Sequence, residues 1–170
     1  MQIQPTHDLL EPLLDAWQRN NAILLNLLRI VPAGGLAARV FADSPTVAQL
    51  YAHIRFCRIC TVFESDPAMP LTHPERLLSD EDEWRHDSDP GALELMLLES
   101  ADVVTLAVSG WIGAGTAIAY DHPIILMQHL LWHEGYHVGQ IKLALKAAGL
   151  AIADREAGPA TWDVWRQRVA

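Results

Sequence analysis

Cysteine is scarce in this 170-residue chain: Cys57 and Cys60 are the only two, too few for a disulfide framework. Positive charge is scarce as well. Against 21 Asp and Glu stand 12 Lys and Arg, leaving a formal net charge of −9 with His neutral. No run of Lys or Arg concentrates a basic patch, which argues against nucleic acid as the main partner, because phosphate binding needs clustered cations. The first eight residues, Met1 to Asp8, hold no basic stretch leading into an apolar one. A secretory signal is therefore not expected, and the expected location is the cytoplasm. Sustained apolar–polar alternation is missing too, which removes the pattern of half-buried strands. Repeats, low-complexity tracts and an interdomain linker are absent, so a single domain over 1–170 is expected. With 51% of its residues hydrophobic, the chain is too apolar for disorder and long enough to bury a core.

What is present is helical. The first helix is expected from about His7 to Ile30, with Thr6 as its N-cap, Pro12 kinking or delaying its first turns, and Pro32 and Gly34-Gly35 ending it. The second opens at Ser44-Pro45 and ends before Pro67; the third opens at Asp89-Pro90 and stops at Gly110. The fourth opens at Asp121 with Pro123 in its first turn, and Gly149 stops it. A short terminal helix at Thr161 to Trp165 is expected to pack its Trp residues on the others. Val103 to Tyr120 carries no charge and is nearly long enough to span a membrane, but Gly110, Gly113 and Gly115 mark it as the end of a buried helix followed by a loop. No membrane association is expected. The fold class is all-α, a four-helix bundle. Short connections join helices one and two and helices three and four as antiparallel neighbours. The long stretch from about Ser65 to Asp89 can cross the bundle and leave helices two and three parallel. Its acidic run, Asp80 to Glu83, lacks the spacing of a calcium loop and reads as solvated surface.

Histidine is the residue in excess, with eight copies. Three recur every four residues, at His129, His133 and His137. On a helix each such step advances ~40° around the axis and ~6 Å along it, so all three share a face and neighbouring pairs can reach one metal ion. His133-Glu134-Gly135-Tyr136-His137 matches HExxH literally, which would make Glu134 a metallopeptidase's general base. Gly135 weakens that helix, however, and no strand is available to bind a peptide. A third ligand is needed, and His53 in helix two is the best candidate, lying near Leu50, Ile54 and Cys57. It is either a ligand between helices two and four or a core His bonded to another side chain. His129 is a fourth ligand, a pocket residue or a polar residue on a partly exposed face. His7, His73, His86 and His122 fall at helix starts or in loops and read as surface. Cys57 and Cys60 form a CxxC, a redox or metal motif in other settings. With no βαβ pattern around it and a helical setting, it reads as two small hydrophobes.

These residues resemble the DinB family of four-helix metalloproteins. The likeness rests on three features: a His in mid-helix two, in Tyr51-Ala52-His53-Ile54; the fourth-helix pattern His-x-x-x-His-x-Gly-Gln-Ile from His133 to Ile141; and the long connection between helices two and three. The resemblance implies an up-down-down-up bundle, often dimeric, with metal ligands His53, His133 and His137. Many members carry a second His directly before the last ligand, where this chain has Tyr136. Gln140 matches the family's Gln, which implies a hydrogen bond to a ligand or substrate; its other reading is an ordinary helix former. Three imidazoles leave a coordination position open, the pattern of a catalytic site, and suit Zn, Ni, Fe or Co. Relatives of the family include bacillithiol S-transferases and mycothiol-dependent isomerases. The resemblance therefore implies a metal-dependent thiol S-transferase acting on a low-molecular-weight thiol and an electrophile. Glu134 is then the nearest acid or base, and His129 and Gln140 line the site. The alternatives are a non-catalytic metal-binding stress-response protein and a metal-dependent hydrolase.

Overall fold

The structure, a computed structural model, describes residues 7–66 and 89–166. Thr6, the long connection with its acidic run, His73 and His86 lie outside the described residues. Among them the regular elements are all helices, with no strand. Four long helices, α1 (His7–Arg29), α2 (Val47–Ser65), α3 (Pro90–Ala114) and α4 (Pro123–Ala147), are followed by the short α5 (Asp154–Ala160) and a 3-10 turn at Trp162–Trp165.

The helix ends follow from local chemistry. Asp89 caps α3, its Oδ2 accepting from the Ala92 amide at 2.8 Å with Pro90 just inside. At α2 the cap lies two residues beyond the expected Ser44. Thr46 Oγ1 accepts from the Gln49 amide at 3.1 Å, and Gln49 Oε1 accepts from the Thr46 amide at 2.9 Å. This reciprocal pair satisfies two amides that Ser44-Pro45 would leave open. Ser44 instead accepts from the Phe41 amide at 3.2 Å. His122 is not merely a surface residue: its Nδ1 caps α4 by accepting from the Ile124 amide at 3.1 Å. Pro12 is carried inside α1.

Helix α3 does not stop at Gly110 but continues to Ala114, with Gly115 in the left-handed conformation at φ 64°. Each internal Gly costs ~1 kcal/mol against Ala. Trp111 offsets that cost: it is buried, and its indole N–H donates to Asp66 Oδ2 at 3.1 Å. α3 is the one described helix long and apolar enough to cross a membrane by length and composition. Its Leu93, Leu97, Val104 and Val108 are buried within the protein.

α3 packs on α1 and α2, and α4 packs on α1, α2 and α3. The shared interior has two apolar clusters. One gathers Leu24, Leu27, Leu50, Tyr51, Ile54, Leu93, Leu97, Ile141 and Leu145. The other gathers Trp17, Val62, Ala101, Val104, Val108, Leu126, Met127 and Leu130. Full burial of each Leu, Ile, Val or Met among them contributes ~1.5–3 kcal/mol. The expectation that the terminal Trp residues pack inward fails: Trp162 and Trp165 are 70% and 46% exposed. That segment is tied to α1 by backbone instead, with Val164 O accepting from Arg19 Nη1 at 2.6 Å.

Candidate metal centre

Two helices supply three imidazoles that meet. His53 comes from the middle of α2, and His133 and His137 come from successive turns of α4. His133 Nε2 lies 3.3 Å from His53 Nε2 and 2.9 Å from His137 Nε2. The rings stand edge-on or tilted, with centroids 4.4–5.2 Å apart. His137 is buried, and the other two are half-buried at the edge of the core. One ligand atom from each residue falls within 4.8 Å of the others, so the three can hold a metal ion.

The donor set fits a cation. Metal–nitrogen bonds of ~2.0–2.1 Å meeting at right to tetrahedral angles separate their nitrogens by about 2.8–3.4 Å, and the two contacts above fall in that range. Lone pairs this close repel unless a proton or a cation lies between them. Protonation is disfavoured at His133, where burial first, and then the charges of His137, His53 and His129, push the pKa from 6.5 down to about 4. Burial also lowers His137, an effect that the Gln140 bond opposes and His53 reinforces. Both rings are thus neutral near pH 7, the form that binds metals.

The two α4 ligands are held differently. His137 Nδ1 donates to Gln140 Oε1 at 2.7 Å, which turns its unprotonated Nε2 toward the cluster. Gln140 Nε2 in turn donates to Tyr136 Oη at 2.9 Å, and the exposed Tyr136 ring stands edge-on to His137 with centroids 5.1 Å apart. His133 Nδ1 is buried with no hydrogen-bond partner among the described residues. Its ring is oriented through Nε2, which meets His53 and His137. At the other side of the centre, Cys57 lies one turn beyond His53, and its Sγ is 3.5 Å from His53 Nε2.

His129 is on the same side of α4 but does not join the cluster. It is exposed, its Nδ1 is 2.7 Å from Tyr120 Oη, and its ring lies alongside Trp132, with centroids 6.3 Å apart. Glu134 is not where an acid or base for this centre would need to be. The residue directly after His133 is turned ~100° around the helix, into the core. There Glu134 is fully buried, bound to Arg58 through Oε1···Nε at 2.6 Å and Oε2···Nη2 at 2.8 Å. Asn20 Nδ2 donates to the same carboxylate.

Arg58 and its surroundings were not marked by the spacing of the histidines. Its Nη1 donates to Asn21 Oδ1, Leu97 O and Ser100 Oγ at 3.0, 2.9 and 3.2 Å, and its Cζ sits 4.7 Å from the Trp17 ring centroid. A signal was available. Tyr51, Ile54, Val62 and Ser65 at helical spacing define the buried stripe of α2, and Arg58 falls on it. Met127, Leu130 and Ile141 do the same for α4, and Glu134 falls on that stripe. Two opposite charges on two buried stripes imply each other.

Compared with known proteins, the chain matches no family model, no curated protein and no solved structure.

Proposed function

We propose that this chain is a divalent-metal enzyme of the DinB-like kind that transfers a small thiol to an electrophile. The observation that carries this reading is the convergence of His53, His133 and His137 through their Nε2 atoms. The register of that set, with the following Gly139-Gln140-Ile141, supports the family likeness. The architecture proposed with it is an up-down-down-up bundle in which the chain between α2 and α3 crosses from one end to the other. The metal is Zn, Ni, Fe or Co, the ions that an all-imidazole set suits. When bound, such an ion lowers the pKa of a thiol and supplies a nucleophile near neutral pH.

The protein's own residues do the rest. His53, His133 and His137 hold the ion and leave a position open for the thiol. Gln140 fixes the ring of His137. Tyr136 and His129, both exposed beside the ligands, form the edge over which the electrophile approaches. A cytoplasmic homodimer is the proposed setting. The test is turnover of a thiol and electrophile pair by metal-loaded protein. Activity lost in a folded His137→Ala variant supports the reading, and no turnover with any low-molecular-weight thiol at full metal loading contradicts it.

One observation favours a second reading, a non-catalytic metal-binding protein. The carboxylate nearest in sequence to the ligands, Glu134, is occupied by Arg58 and Asn20. The same observation removes the general base that a hydrolase of the HExxH type needs.

A further inference from the structure

We infer that Arg58 and Glu134 are positioning residues for the three-histidine centre, their buried pair holding α2 and α4 in the register that brings His53 to His133 and His137. The inference rests on the metal-centre reading above.

The pair joins the same two helices that carry the ligands. Glu134 follows His133 directly, and Arg58 lies five residues beyond His53, ~7.5 Å along the helix. Between them on α2, Cys57 touches His53. One short stretch of each helix therefore carries both a ligand and a member of the pair.

The pair also belongs to a polar layer that interrupts the core in every long helix. In α1, Asn20 and Asn21 fall between Trp17 and Leu24; in α2, Arg58 falls between Ile54 and Val62. In α3, Ser100 falls between Leu97 and Ala101; in α4, Glu134 falls between Leu130 and Ile141. The two apolar clusters lie on either side of this layer. Packing of aliphatic residues alone specifies register weakly, because a slip exchanges one apolar side chain for another of similar volume. A slip of one turn here, ~5.4 Å, would strand a buried guanidinium and a buried carboxylate without partners. Such polar placement is the best-attested way for buried charge to specify register.

The centre needs that specification. Among the described residues His133 Nδ1 has no partner, and its ring is oriented through Nε2 by His53 and His137, so the placement of the three rings depends on how the two helices are set against each other. A metal set tolerates displacement of only ~0.5 Å. The layer supplies the rigidity from below.

Cobalt(II) binding to the whole protein tests this, with affinity and the visible d–d spectrum as readouts. The variant Arg58→Met/Glu134→Leu removes both charges, a change that leaves stability nearly neutral when volume is kept. We expect cobalt affinity to fall about 10–100-fold, the usual cost of losing a group that orients a ligand, with a shifted d–d spectrum. Arg58→Lys keeps the charge but loses the two-pronged contact, and it decides the matter if the double variant does not fold. Its expected result is a smaller loss of affinity with a shifted spectrum. Wild-type affinity and spectrum in either folded variant overturns the inference while leaving the metal centre intact. A wild-type protein that takes up no cobalt overturns the metal-centre reading and this inference together.

Discussion

His137 Nε2 faces His133 Nε2 at 2.9 Å, one helical turn apart, and His53 closes the set from a second helix. With the ring proton of each on Nδ1, both Nε2 lone pairs point at the same small space, where a cation can bind them. Removing any one of the three rings should therefore damage metal binding more than any other single change. For His53→Ala the expected loss exceeds the ~10–100-fold that follows removal of an orienting group. Isothermal titration with zinc checks this, and an unchanged affinity would place the ion elsewhere.

Gln140 should matter to binding without mattering to folding. It holds the Nδ1 of His137 at 2.7 Å from a half-buried position. Gln140→Ala is expected to weaken metal binding ~10-fold or more, while the unfolding free energy moves by about 0.5 kcal/mol or less. A competition titration beside a urea melt separates the two effects.

The metal-free protein should lose stability in acid. The folded His133 has its pKa lowered to about 4 from 6.5. Between those values the unfolded chain binds more protons than the folded one, so stability rises with pH across that window and falls as pH drops from 6.5 toward 4. Urea midpoints of the chelated protein at pH 7 and pH 5 measure this. The fall should be shallower in His133→Ala, and an equal fall in both proteins would remove His133 as its cause. Metal binding should weaken in the same direction, because protons compete for the same nitrogens.

Breaking one side of the buried pair should be costly. Arg58 and Glu134 are both fully inaccessible to solvent and bonded at 2.6 and 2.8 Å. Glu134→Ala leaves the guanidinium buried with no counter-charge, and the expected destabilisation is ~3–5 kcal/mol. Chemical denaturation at neutral pH reads it, and a cost under about 1 kcal/mol would mean that water reaches Arg58 in the folded state.

The legible parts of the molecule were those governed by local rules. Asp89-Pro90 and Gly149 mark helix ends in the sequence and do so in the structure. The four-residue spacing of His133 and His137 needs only helical geometry to bring them together. The Thr46–Gln49 cap was written in the sequence as well, but Ser44-Pro45 offered a competing start two residues earlier, and only the reciprocal hydrogen bonds distinguish them. The continuation of α3 past Gly110 depends on Trp111 reaching Asp66, 45 residues away, which no local pattern reveals. The place of Glu134 in a five-residue motif points to an acid or base, whereas its environment is set by Arg58, 76 residues earlier in the chain. Tertiary pairing of two buried charges overrode the local motif.

The most direct test of the three-histidine centre is the metal content of untagged protein purified from cells supplied with Zn, Ni, Fe and Co, set beside a folded His133→Ala variant. The expected result is close to one equivalent of a single divalent metal per chain in the wild type and a small fraction of that in the variant. Well under one equivalent in the wild type, or the same content in both, would contradict the centre formed by His53, His133 and His137.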